Sequence, residues 1–336
     1  MSIITISTLS ELSTQLDKII KNTPNITYIS YIDGEYGFRC LWYNGFVRHY
    51  TNKQRKSGNL VVGFCFKGNT IFLKELCDII IEYKETAFNL ENIIDDTHID
   101  NDKNDHRIDS TPCSVPYKGT SGWSRYNTTG LHSEEYESII DSFNFKSIIF
   151  TIHQIGHTMY VKNCRSNIIG KLNDIPIDFG RINDNRDILL SYFKPNTEIS
   201  KIKKNAIACF IRNTNKCPER NLPDIIYIPL IEYCKFKKIH LNIFFDLNPV
   251  DIQESEYVHI CNIRENGVLL IDKFIDICRE SYIFLGADSG ITEICNTYTD
   301  CNVLFYESQS PWGAVNKNII IKTTQELISE INNIMM

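Results

Sequence analysis

Two stretches of this chain place charged and hydrogen-bonding residues where a phosphorylated ligand could be handled. The first is Gly286-Ala287-Asp288-Ser289-Gly290-Ile291-Thr292-Glu293, which follows the apolar run Tyr282-Ile283-Phe284-Leu285. A small-residue turn between an apolar run and a helical pattern marks a parallel strand handing over to a helix. Ser289 is then the helix N-cap, and the first amides of that helix face an anion such as a diphosphate. The second stretch is Phe210-Ile211-Arg212-Asn213-Thr214-Asn215-Lys216, with Arg220 beyond it. If both runs belong to one parallel sheet, Arg212, Lys216 and Arg220 leave the same carboxyl edge that presents Asp288, Ser289 and Gly290. A phosphate there meets a guanidinium fork, a point charge and backbone amides. Each cation alone reads as ordinary surface charge, and the strand-to-helix turn alone reads as a capped turn. Their joint placement points to a site.

Three other groups of residues could act on a substrate. Asp33-Gly34-Glu35 follows the strand-like run 26–32, so two carboxylates flank a glycine at a strand end. That position suits a general base or a metal ligand; the alternative is a glycine turn with solvated acids. Pro116-Tyr117-Lys118-Gly119-Thr120-Ser121-Gly122-Trp123-Ser124-Arg125-Tyr126 mixes aromatic, basic and flexible residues. Such a loop can close over a sugar, with Trp123 stacking and Lys118 and Arg125 bonding hydroxyls, or it can be pinned to the core by Trp123. His153-Gln154-Ile155-Gly156-His157 lacks the glutamate that a zinc protease needs after its first histidine, and Gly156 weakens the required helix. No metal site is expected there, and His153 is left as a substrate contact.

The elements that must carry these residues follow from periodicity. Apolar residues at Leu9, Leu12, Leu16, Ile19 and Ile20 predict a helix over 9–21. Strands are expected at 26–32, 59–66 and 146–152, and helices at 71–83, 132–143 and 183–194. The Asp- and Asn-rich run 92–110 reads as a surface insertion, continuing to about 130. Pro195 and the basic run to Lys204 mark a domain boundary. Beyond it, strands at 205–212, 239–245, 257–261, 282–285, 302–305 and 319–321 alternate with helices at 222–236, 268–278, after Ser289, and at 324–334. This alternation predicts a doubly wound parallel sheet. The expected organisation is an acceptor-side α/β domain at 1–195 and a second α/β domain at 200–336.

Composition narrows the class. The chain has 336 residues, enough for two domains, and is 43% hydrophobic. Its net charge of -6 argues against a nucleic-acid partner. The 12 cysteines are scattered and form no CxxC pair, which fits reduced thiols and a cytoplasmic location. The first residues lack a basic segment followed by an apolar core, and no apolar run is long enough to span a membrane.

The Gly-Ala-Asp-Ser-Gly-Ile turn after a strand is similar to the Asp-Ser-Gly turn in the C-terminal domain of GT-B glycosyltransferases of the heptosyltransferase type. In that family the turn lies against the nucleotide-sugar diphosphate. The histidine usual a few residues later is absent: Thr292 and Glu293 stand there. Ile211-Arg212-Asn213-Thr214-Asn215-Lys216 resembles the Arg-Arg-Thr-Asp-Lys segment of GT-B fucosyltransferases, with Asn213 and Asn215 as departures. The resemblance covers mainly residues 200–330. It implies two Rossmann-like domains, a nucleotide-sugar donor held by Arg212, Asn213, Lys216, Arg220, Asp288, Ser289, Gly290 and Glu293, and a glycan or other hydroxyl acceptor. It implies Asp33 or Glu35 as catalytic base and no cofactor. Tyr31-Ile32-Asp33-Gly34-Glu35 also resembles the Gly-Asp-Gly-Glu segment of GT-D glycosyltransferases, in which such acids bind a metal. The other expectation is a non-catalytic carbohydrate-binding or assembly protein on a degenerate transferase fold, motivated by the same departures.

Overall fold

In the computed structural model the described residues are 1–23, 25–31, 44–86, 134–151, 159–163, 168–170, 204–213, 218–245, 249–265, 268–287, 289–306 and 319–335. The chain divides into two compact units, Met1–Lys194 and Pro195–Met336.

The first unit is built on a seven-stranded sheet. Its strands are β1 (Ser2–Ile6), β2 (Ile26–Tyr31), β3 (Leu60–Phe66), β4 (Ile79–Tyr83), β5 (Ser147–Thr151), β6 (Met159–Asn163) and β7 (Ile168–Gly170). The spatial order is β1-β4-β3-β2-β5-β6-β7. Pairings from β1 through β5 are parallel, and β6 and β7 add antiparallel strands at one edge. The helices are α1 (Leu9–Asn22), α2 (Asn44–Lys56) and α3 (Glu134–Ser142). α1 forms because Leu9, Leu12, Leu16 and Ile19 fall on one stripe that the core buries, while the Thr8 hydroxyl caps the Glu11 amide. β2 is buried along its whole length, as a central parallel strand must be.

One expectation fails in this unit. Residues 71–83 are not a helix: a 3₁₀ turn at Thr70–Phe72 is followed by β4. The run Ile79-Ile80-Ile81 is β-branched and is claimed by a sheet position between β1 and β3. Asp78 secures the strand entry, accepting from the Val61 amide at 2.8 Å and Arg55 Nε at 3.0 Å. In addition β1 and α2 occupy segments for which no element was expected. The expected helix at 183–194 and the insertion at 92–130 lie outside the described residues.

The second unit is a six-stranded, wholly parallel sheet: β8 (Ala206–Ile211), β9 (His240–Phe245), β10 (Val258–Ile260), β13 (Ile283–Gly286), β14 (Asn302–Tyr306) and β15 (Ile319–Ile321). A short antiparallel hairpin, β11 (Arg264–Glu265) with β12 (Val268–Leu269), lies between β10 and β13. It takes the start of the helix expected at 268–278, which begins instead at Ile271. The helices are α4 (Asp224–Lys237), α5 (Ile271–Glu280), α6 (Gly290–Tyr298) and α7 (Thr324–Met335). The spatial order is β10-β9-β8-β13-β14-β15. Numbered by appearance among these six, that is 3-2-1-4-5-6, the doubly wound order of dinucleotide-binding folds. One face of the sheet packs Ile207, Leu241, Ile243, Leu285 and Leu304 against α4 and α7. The other carries the edge-to-face contacts Phe244–Phe274 and Phe274–Phe284, with Phe274 on α5.

Candidate active site

In an open α/β sheet the order of strands reverses at one place, and there the loops at the carboxyl ends diverge to leave a crevice. In the second unit that place is between β8 and β13, which pair with Leu285 opposite Cys209. The chain leaves β8 through Arg212 and Asn213, both half-buried, and leaves β13 through Ala287, Ser289 and Gly290. The two stretches singled out for anion binding thus exit adjacent, parallel strands at the switch point. Arg220 ends a 3₁₀ turn, Pro218–Arg220, and is half-buried; the Arg212 carbonyl accepts the Leu222 amide at 3.3 Å, tying this return to the strand end. Lys216 and Asp288 lie outside the described residues.

The turn into α6 is tightly braced. The Ser289 hydroxyl accepts the Thr292 amide at 3.3 Å and lies 3.2 Å from the Thr292 hydroxyl. The Thr292 hydroxyl, fully buried, donates to the Ala287 carbonyl at 2.6 Å. Ser289 is the N-cap, as its position predicts. The braces fix the direction of the helix N-terminus, where the leading amides lack intrahelical carbonyl partners and carry the positive end of the helix dipole. Gly286 is required by this packing: a Cβ there would stand 2.4 Å from Thr292 Oγ1 and 2.8 Å from Phe284 Cε1. Thr292 and Gly286 are the two positioning residues that pattern reading did not single out for this role. The signal for Gly286 was a glycine at a strand end, just before a capped helix.

Glu293 sits in the first turn of α6 and is only 4% exposed. A carboxylate in the first turn favours the helix dipole. On the same helix, burial pushes the Cys295 thiol well above its ordinary range.

The first unit has a reversal of its own. Its inner parallel strands run β4-β3-β2-β5, so the order turns between β2 and β5, which pair with Ser30 opposite Phe150. β2 ends at Tyr31, two residues before Asp33, and β5 ends at Thr151, two residues before His153. Asp33, Glu35 and His153 themselves lie outside the described residues, as do Lys118, Trp123 and Arg125. Beneath this strand end is a buried hydroxyl network: Tyr136 OH lies 2.8 Å from Ser30 Oγ and 3.1 Å from Tyr28 OH. Burial, reinforced by Tyr136, keeps the Tyr28 phenol protonated well above its ordinary range. Among the described residues no group of three or more His, Cys, Asp or Glu side chains could hold a metal ion, and no helix is long and apolar enough to cross a membrane.

Each of the two units is thus an α/β fold with a largely or wholly parallel sheet, the second in the doubly wound Rossmann order. Solved structures similar to this chain include bacterial heptosyltransferases. E. coli heptosyltransferase WaaC with ADP matches over 92% of this chain and 99% of its own, at 9% identity and a TM-score of 0.45. The iron-containing dodecameric glycosyltransferase TibC of enterotoxigenic E. coli matches over 88% of this chain and 62% of its own, at 9% identity and a TM-score of 0.40. The E. coli ADP-heptose heptosyltransferase II matches over all of this chain and 98% of its own, at 8% identity and a TM-score of 0.33. No family model and no curated protein sequence matches the chain.

Proposed function

We propose that this protein is a glycosyltransferase that takes a sugar from a nucleotide-sugar donor and passes it to a hydroxyl of a glycan or other acceptor. The observation that carries this reading is the switch point of the second unit. A basic strand end and a braced, serine-capped helix N-terminus leave neighbouring strands β8 and β13 there. The donor diphosphate lies at the amides of Gly290 and Ile291 and the Ser289 hydroxyl, with Arg212, Lys216 and Arg220 supplying positive charge. Asn213, Asp288 and Glu293 serve as further donor-binding residues. On the acceptor side Asp33 or Glu35 accepts the proton of the attacking hydroxyl, with Lys118, Trp123, Arg125 and His153 binding the acceptor. As the acceptor oxygen bonds to the anomeric carbon, the bond from that carbon to the diphosphate breaks, and its electrons leave with the diphosphate. The cations and helix amides stabilise that charge as it grows. The reading needs no metal at the diphosphate.

A second reading has one observation of its own: Glu293 stands in the buried first turn of α6, near the place proposed for an anion. A carboxylate there opposes a diphosphate, and favours a carbohydrate-binding protein without transfer activity. Thermal melting with UDP, GDP, ADP and CDP, each with and without Mn²⁺, separates the two. Stabilisation by one nucleoside diphosphate is the expected result. A protein stabilised by a glycan and by none of the four would support the second reading.

A further inference from the structure

We infer that His240 and His259 form a binding site for a divalent transition-metal ion that takes imidazole ligands, such as Zn²⁺. The site lies at the edge of the second sheet, away from the switch point. His240 is the first residue of β9, and His259 is the central residue of β10, the edge strand. The strands are parallel, with His259 opposite Asn242. Side chains alternate along a strand, so His240, two residues before Asn242, shares the face that His259 presents. The two rings are nearly parallel, 18° apart, with centroids 5.4 Å apart. His240 Nδ1 stands 3.2 Å from His259 Nε2. The two nitrogens share a hydrogen bond; ligand nitrogens about 2.0–2.1 Å from a tetrahedral zinc ion are about 3.3 Å apart, so an ion can replace the shared proton with little movement of either ring.

The arrangement suits a metal of this class and not a hard cation. Imidazole nitrogens select zinc, copper or nickel over magnesium or calcium. His240 is exposed and His259 half-buried, so both rings can turn their lone pairs to a common point and water can complete the coordination. Asn242 and Cys261 line the same face, with Cys261 Sγ 3.7 Å from Asn242 Oδ1. His240 neighbours Ala206, the residue that opens β8, so the site is at the amino edge of the sheet. Arg212 and Ser289 follow the carboxyl ends. A metal held here clips the three-residue edge strand β10 to β9 and takes no part in chemistry at the switch point.

The test is calorimetric titration of the full chain with Zn²⁺ alone, repeated on His240→Gln and His259→Gln. Outer-shell residues alone change metal affinity ~10–100-fold, so removal of a ligand should weaken binding more than ~10-fold in each variant. The double variant should bind at least as weakly as either single one, because each single variant still keeps one imidazole but no chelate. Equal affinity in wild type and both single variants would overturn the proposal. Cu²⁺ electron paramagnetic resonance of the wild type gives a reading that depends on no variant. Hyperfine coupling to two nitrogens at one equivalent is expected, and a spectrum without nitrogen coupling overturns the site. Unchanged melting of the metal-free variants confirms that the losses are not unfolding.

Discussion

The two units solve the same architectural problem with different interiors. The second has a wholly parallel sheet whose core against α4 and α7 is largely aliphatic, with Ile207, Ile243, Leu285 and Leu304 among its members. The first mixes parallel and antiparallel strands and buries aromatic rings with their hydroxyls. Tyr28 stacks on Phe145 at 4.9 Å, and Phe64 meets Tyr136 at the same separation. An aliphatic core is held by area and shape, whereas a core that buries hydroxyls is held also by satisfied hydrogen bonds. The difference predicts different weak points. Substitutions that add volume should hurt the second unit most, and those that remove a hydroxyl should hurt the first.

The largest expected effect concerns activity, not stability. Under the proposed function, Arg212→Ala should lower kcat/KM about 100-fold or more, the size found for losing one donor to a developing anion. Arg212→Lys should recover part of it, because the fork geometry is lost while the charge is kept. Steady-state kinetics with the donor found by thermal melting checks this. Full activity in Arg212→Ala would move the phosphate site away from β8.

A pair of glycines tests the packing side of the comparison. Gly286→Ala drives a Cβ into Thr292 Oγ1, which is held by its bond to Ala287, and into the Phe284 ring. Overpacking of this kind costs about 1–3 kcal/mol. In the first unit a Cβ at Gly63 would meet Cys77 Sγ at 2.5 Å and Leu73 Cδ1 at 2.9 Å. Those are side-chain ends that can rotate, so Gly63→Ala should cost less, about 1 kcal/mol. Urea denaturation of the two variants should rank them in that order. The reverse ranking would mean that the helix–strand contact at α6 is the softer one.

The hydroxyl core has its own probe. Tyr136→Phe removes the oxygen that Tyr28 and Ser30 both bond and leaves the ring stacking in place. Losing the partner of buried hydroxyls costs about 1–3 kcal/mol. A cost near zero would show that aromatic packing alone holds the first unit.

The second unit was the more legible in sequence, for a physical reason. In a wholly parallel, doubly wound sheet each strand is a short apolar run and each crossover helix shows its own period. Local pattern and tertiary position therefore agree, and β8, β9, β10, β13, β14 and β15 all fall where the apolar runs place them. The first unit breaks that agreement. β1 is a five-residue edge strand, Ser-Ile-Ile-Thr-Ile, that runs straight into the Ser/Thr-rich entry to α1, and β4 is reached through a 3₁₀ turn whose apolar residues continue the same run. α2 carries the polar sequence Thr51-Asn52-Lys53-Gln54-Arg55-Lys56, which reads as loop until Arg55 is seen bonded to Asp78. At the candidate site the cap Ser289 was readable from its neighbours. The brace at Thr292 was not, because nothing in the sequence shows that its hydroxyl folds back onto the Ala287 carbonyl.

Ser289 carries the smallest expected effect, and it separates two roles that this residue combines. As N-cap it accepts the Thr292 amide, and Ser289→Ala should cost about 1 kcal/mol of stability. As part of the proposed donor site it also faces the diphosphate, so loss of activity in Ser289→Ala would have two explanations. Asparagine and aspartate cap helices about as well as serine does. Ser289→Asn and Ser289→Asp should therefore both melt near the wild-type temperature. Only the second places a full negative charge where the diphosphate is proposed to sit, and like charges at that distance repel. Nucleoside-diphosphate affinity should survive in Ser289→Asn and fall sharply in Ser289→Asp, read by the same thermal-melting titration. Equal affinity in the two variants would leave Ser289 a cap and nothing more, and would move the anion to the β8 side of the switch point, toward Arg212 and Arg220.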